Sequence, residues 1–270
     1  MPLRPFLPLA AIALYGCSSP DEVRERAGVT ADSPQSSTHV SVSASSTGSG
    51  KKVAEDTDLY SYALSYPAPV SAYPRLAGQI EREAQRIRAE TIAEAKEAQA
   101  AAKANDFPFH PHSYSAEWQV VADLPGYLSL SNKFATYSGG AHGMYGLRSL
   151  VWDKAAKRGL EADELFISAA SLESKMGAAL CEALDRQREE RRGEPVGPKG
   201  EYFSDCPGLE DSTLLVGSSN GKTFDRITVW FGPYVAGSYA EGAYELDFPV
   251  TRAMLEAVRP AYREVFGAKS

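Results

Sequence analysis

Leu59-Tyr60-Ser61-Tyr62-Ala63-Leu64-Ser65-Tyr66-Pro67, followed by Pro69 and then by Pro74-Arg75-Leu76-Ala77-Gly78-Gln79-Ile80, sets two periods side by side. Tyr60, Tyr62, Leu64 and Tyr66 alternate with small Ser and Ala residues, which predicts a strand with its large side chains on one face, ended by the prolines. After Pro74, a favoured first helical residue, Leu76, Ile80, Ala84, Ile87 and Thr91 recur at helical spacing through an Ala/Glu/Arg-rich stretch ending near Ala104. The folded part therefore opens with a strand and one long helix.

Downstream, Tyr114, Ala116, Trp118, Val120 and Ala122 alternate, Pro125-Gly126 turns the chain, and strands are expected from Leu128 to about Tyr137 and from Tyr145 to Trp152. Short turns imply antiparallel neighbours. A helix is expected from about Ala170 to Arg192, carrying Leu172, Met176, Ala179, Leu180 and Leu184 and breaking in the Gly/Pro-rich loop 193–200. Strands over Ser212–Gly217, Phe224–Phe231 and Ala243–Phe248 precede a last helix, Thr251–Phe266, capped by Thr251. The expected class is α+β, an antiparallel sheet packed with the long N-terminal helix and later helices, and not a doubly wound βαβ fold.

The 270 residues are 43% apolar and 10% aromatic, ordinary globular composition. Lys and Arg number 28 against 35 Asp and Glu, a net charge of −7 with no basic stripe, which argues against a nucleic-acid partner. At the N-terminus, Arg4 precedes an apolar run from Phe6 to Tyr15, far below the ~20 residues of a spanning helix, and small Gly16 stands before Cys17. This reads as a signal peptide over 1–16. Leu14-Tyr15-Gly16-Cys17 resembles the bacterial lipobox, which implies cleavage before Cys17, a thiol that carries a diacylglycerol, and palmitate as part of the lipid anchor. Ser18 and Ser19 in place of Asp imply sorting to the outer membrane, facing the periplasm. Residues 17–56, rich in Ser, Thr, Gly and Pro from Ser33 to Gly50, lack a core pattern and read as a flexible tether. A strand-helix subdomain over 57–108 and a second α+β subdomain over 109–270 complete the division.

With Cys17 spent on lipid, Cys181 and Cys206 remain as an even pair in an oxidising compartment, for which one disulfide is expected, two buried thiols being the alternative.

Candidate chemistry narrows by context. Gly217-Ser218-Ser219-Asn220-Gly221 satisfies G-x-S-x-G, but a strand follows where a nucleophile elbow needs a helix, and no His lies beyond His142. Asn220-Gly221 reads instead as a hairpin turn. His110, His112 and His142 could in principle hold zinc, but no His-x-x-x-His or His-Glu pair supports it, so neither a metal nor a cofactor is expected. Gly139-Gly140-Ala141-His142-Gly143 places three glycines between two strands, either as a tight connection with His142 hydrogen-bonded beside it or as a contact surface. Trp230-Phe231-Gly232-Pro233-Tyr234-Val235-Ala236-Gly237-Ser238-Tyr239-Ala240-Glu241-Gly242 sets aromatic side chains in a Gly/Pro loop. Such rings either recognise a protein or glycan or fold over a core formed by Trp230 and Tyr244.

Tyr137-Ser138-Gly139-Gly140-Ala141-His142-Gly143, with Phe231-Gly232-Pro233-Tyr234 and Tyr239-Ala240-Glu241-Gly242, resembles the extracytoplasmic domain shared by RsiV-type anti-sigma factors and the accessory region of PdaC-type peptidoglycan deacetylases. The strand and helix from Leu59 to Ala104 look like that family's companion N-terminal subdomain. The resemblance implies an α+β envelope domain, some of whose relatives bind lysozyme or sit beside a peptidoglycan-active enzyme. The paired acids and His-x-x-x-His of a deacetylase site are missing, and Thr223-Phe224-Asp225-Arg226 is a partial echo. The expectation is a non-enzymatic lipoprotein that binds lysozyme or peptidoglycan, with Pro233, Tyr234, Tyr239 and Glu241 as contacts, His142 organising the turn and Gly139, Gly140 and Gly143 shaping it. The rival is a peptidoglycan-active enzyme using His142 with Glu241 or Asp247, and a third option is a scaffold lipoprotein.

Overall fold

The Tyr60–Tyr66 alternation is realised as a strand whose four large side chains are all buried, and it has a neighbour on each side. The structure is a computed structural model that describes residues 49–268; the expected signal peptide, Cys17 and most of the expected tether lie outside the described residues. Strand β1 (Lys51–Asp56) pairs antiparallel with β2 (Tyr60–Tyr66), so the tether expected to reach Asp56 gives way to regular structure at Lys51. Helix α1 (Ala68–Ser71) and the long helix α2 (Pro74–Ala104) follow. β1 has only Val53 as a large apolar residue, too weak a pattern to read. Lys51 and Glu55 hold the strand to α2 through ion pairs with Glu81 and Arg88.

α2 crosses over to β3 (His112–Asp123), which pairs parallel with β2; β4 (Tyr127–Tyr137), β5 (Met144–Asp153) and β6 (Arg158–Leu160) then add antiparallel in chain order. The β2–β3 pair is parallel because a helix separates its strands. Leu76, Ile80 and Ala84 of α2 pack on Tyr62, Tyr66, Tyr114, Trp118, Leu130 and Trp152, one face of this six-stranded sheet. A fully buried Leu or Ile there contributes about 1.5–3 kcal/mol.

The register of β3 shifts between Val120 and Ala122, and the extra residue turns Ala122 to the opposite face. There it joins Leu124 and Val151 in a second core. That core is covered by a three-stranded antiparallel sheet, β7 (Thr213–Gly217), β8 (Arg226–Phe231) and β9 (Tyr244–Pro249), and by helices α3 (Ala169–Met176) and α4 (Ala179–Arg192). The single helix expected over 170–192 is thus two. Gly177, at φ +59°, ends α3 in a conformation that breaks the helical path.

The last helix is also shorter than expected. Thr251 caps α5 (Arg252–Leu255), its hydroxyl accepting from the Met254 amide, but Pro260 forbids continuation and Pro260–Val265 is a 3₁₀ turn. The residues between are held elsewhere: Val258 bridges Phe166, and the Arg259 amide donates to the Leu165 carbonyl. Cys181 on α4 is bonded to Cys206, Cα to Cα 5.5 Å, closing the loop that follows the helix. Among the described residues no helix is long and apolar enough to cross a membrane.

Candidate functional site

Two connections meet at one place: the β4–β5 hairpin tip, residues 138–143, and the β8–β9 loop, residues 232–243. Gly139 and Gly140 have φ +92° and +95°, and Tyr137 Oη closes the turn on the Gly140 carbonyl at 3.0 Å. Gly143 is required sterically, since a Cβ would lie 2.6 Å from the Thr136 carbonyl oxygen. The same Gly143 carbonyl accepts from His142 Nδ1 at 2.9 Å and from Tyr239 Oη at 2.9 Å. A proton on Nδ1 leaves Nε2 as an acceptor facing Tyr234 Oη at 3.4 Å. His142 stacks on Tyr239 with centroids 4.0 Å apart, and Tyr234 lies 5.8 Å from the Tyr239 ring. Both outer members face solvent: His142 is exposed and Tyr234 is 48% exposed.

The β8–β9 loop is held from beneath by three arginines of α4, spaced so that they share a face. Arg188 is wholly buried and donates to the carbonyls of Ala236 (2.9 Å) and Asp205 (2.8 Å), with Asp185 beside it. Arg191 donates to the carbonyls of Glu241 and Ala243 and lies over the Tyr244 ring. Arg192 pairs with the Glu241 carboxylate at 2.9 Å. Ser238 and Glu241 form a capping box around the short 3₁₀ turn Tyr239–Glu241. Burial opposes ionisation of Glu241, but hydrogen bonds from Tyr244, the Ser238 amide, Arg192 and the Ser238 hydroxyl outweigh it and hold the carboxyl at about 2. Tyr234 itself has φ +68°, an unusual conformation for a non-glycine residue, fixed by its amide on the Gly237 carbonyl.

The expected contact residues thus divide. His142, Tyr234 and Tyr239 come together as an aromatic platform, whereas Pro233 is buried and Glu241 is committed to bracing the loop. Tyr244 is core and Trp230 is half-buried. Neither acid considered as a partner for His142 meets it: Glu241 turns to Arg192, and Asp247 pairs with Arg226. His110 is exposed and His112 is buried in the sheet, and among the described residues no three His, Cys, Asp or Glu side chains gather as metal ligands. The G-x-S-x-G stretch lies in the β7–β8 connection, wider than the two-residue hairpin expected. Buried Asp225 accepts there from the Ser219 amide (2.7 Å), the Ser219 hydroxyl (2.5 Å) and Asn220 Nδ2 (3.1 Å). Tyr145 and the α4 arginines were not anticipated. Tyr145 Oη accepts from the Ala243 amide at 3.0 Å and joins the two connections; the only local signal was the Ser238-x-x-Glu241 capping pattern.

Residues 53–145 match the family model described as Deacetylase PdaC. The matched segment runs from β1 through α2 to the first residues of β5, so the His142 half of the platform lies inside it, and Tyr234 and Tyr239 are supplied by the chain beyond it. Solved structures similar to the chain include a member of the DUF3298 family from Bacteroides fragilis NCTC 9343, at 18% identity and TM-score 0.47 over 77% of this chain and 91% of that one. A DUF3298 family protein from Pseudomonas aeruginosa PAO1 is similar at 14% identity and TM-score 0.46 over 82% of this chain and 97% of that one. No match is found among curated proteins.

Proposed function

We propose that the folded region is a non-enzymatic recognition module of the bacterial cell envelope, carried on a lipid-anchored tether at Cys17 and facing the periplasm, that binds peptidoglycan or lysozyme. The observation that carries this reading is the His142–Tyr239–Tyr234 platform. Its outer rings, His142 and Tyr234, are exposed and stand on half-buried Tyr239, yet its backbone is locked by the Gly143 carbonyl on one side and the α4 arginines on the other. Rigid aromatic groups with a polar tip present a large apolar face at little entropic cost, the property that suits sugar faces and protein surfaces alike. Glu241 and Asp247, the acids that could have turned His142 into a general base, are engaged with arginines. The net charge of −7 favours approach of a cationic protein such as lysozyme.

The test is a titration of the protein with muropeptides and, separately, with a c-type lysozyme. Saturable binding to one of them supports the reading, and absence of binding to either at sub-millimolar concentration removes both ligands.

A further inference from the structure

A second surface lies at the opposite end of β5 from His142. Arg75, Gln79 and Arg82 of α2, at i, i+4 and i+7, line an open groove of about 440 Å³ together with Pro74, Trp152 and Lys157. No acidic residue lines it. In a chain of net charge −7, three cations on one groove with no acid among its lining residues are a local reversal of sign, and among the described residues Arg75, Arg82 and Lys157 form no ion pair. Lys157 is held at φ +54° in the β5–β6 turn, a left-handed conformation that a lysine adopts only under constraint. Gly78 leaves room for Arg82 to lie back along the helix, since a Cβ there would stand 3.1 Å from Arg82 Nη1.

One further feature favours negative charge here. The groove begins at the first turn of the 31-residue helix α2, a turn with no acidic residue to offset the positive N-terminal end. Trp152, 2% exposed, forms part of the groove wall, so its indole resonance reports on what the groove holds.

We propose that this groove is a binding site for a phosphate-class oxyanion, gripped by Arg75, Arg82 and Lys157 over Trp152. The shared chemistry is an anionic phosphate group, whether free or displayed on a lipid headgroup. The site is separate from the aromatic platform, so its fate is independent of that reading.

The probe is inorganic phosphate added to the ¹⁵N-labelled protein, with the Trp152 indole resonance assigned by Trp152→Phe. A parallel arm measures binding to phosphatidylglycerol vesicles against phosphatidylcholine vesicles. The expected result is a saturable shift of the Trp152 indole, weakened about tenfold or more in the Arg75→Gln/Arg82→Gln double variant and unchanged in Tyr234→Ala. Arg75 and Arg82 are exposed, so the double variant should keep the wild-type melting temperature. Vesicle binding without a response to free phosphate, abolished in the double variant, also supports the site and identifies the headgroup as its source. Absence of binding in both arms, or equal binding by the double variant, overturns the proposal.

Discussion

Replacing Glu241 by Gln should reveal how firmly the β8–β9 loop is held. The substitution keeps the shape but turns an acceptor-only group into one whose amide faces donors from Arg192 and Tyr244. The carboxyl stands at about 2 against an ordinary 4.5, which at about 1.4 kcal/mol for each tenfold change in proton affinity corresponds to about 3 kcal/mol. Solvent reaches 19% of the side chain, and screening reduces the expected effect to about 2 kcal/mol. Because the folded carboxyl is the stronger acid, this stability is fully present above the unfolded value near 4.5 and is lost as pH falls through about 2. Urea unfolding of both proteins at a series of pH values should show a difference of about 2 kcal/mol at pH 7 that is flat down to about pH 5 and shrinks steadily below it. A difference that is absent at pH 7, or that does not change on acidification, would refute the four-donor account of Glu241.

Other consequences are open to the same kind of test. Changing both Cys181 and Cys206 to Ser should cost about 3.5 kcal/mol in urea unfolding, from the chain entropy of a loop with a sequence separation of 25. Arg188→Met removes the charge that satisfies the Ala236 and Asp205 carbonyls and should destabilise by about 3 kcal/mol, with the broadest NMR shifts at residues 233–241. Gly146→Val places a side chain where a bare Cβ would already collide with the Phe134 ring, and should lower stability by about 1–3 kcal/mol in thermal unfolding.

What could be read from the sequence was whatever a local period encodes. The Tyr60–Tyr66 face, the α2 stripe and the Thr251 cap all appear as expected, because each depends on side chains within a few residues of one another. The bond expected between Cys181 and Cys206, once Cys17 is set aside for lipid, is likewise formed. β1 was missed because Lys51 and Glu55 are held by ion pairs to a helix about thirty residues away, which leaves no hydrophobic alternation to see. The α2 crossover and its parallel β2–β3 pair, set within an otherwise antiparallel sheet, likewise depend on contacts that no local pattern reports.

The site shows the same division. The glycines and aromatic residues of the two connections were legible, and His142, Tyr234 and Tyr239 do meet. Their roles were less so. Pro233 and Glu241 look like surface residues in a polar loop, yet burial of the first and bracing by the second follow from α4, whose arginines read in sequence as an ordinary solvated charge run. The burial of Arg188 is settled only by the carbonyls that the folded chain brings around it.

The most direct measurement of the recognition surface compares the wild type with Tyr234→Ala in titrations against muropeptides and c-type lysozyme. Tyr234 is 48% exposed and braces nothing beneath it, so the variant should unfold within about 0.5 kcal/mol of the wild type. The account predicts that affinity for the bound ligand falls at least about tenfold, a loss typical of an aromatic anchor at the centre of a contact. Unchanged affinity in a variant of unchanged stability would contradict the claim that the platform is where this protein binds.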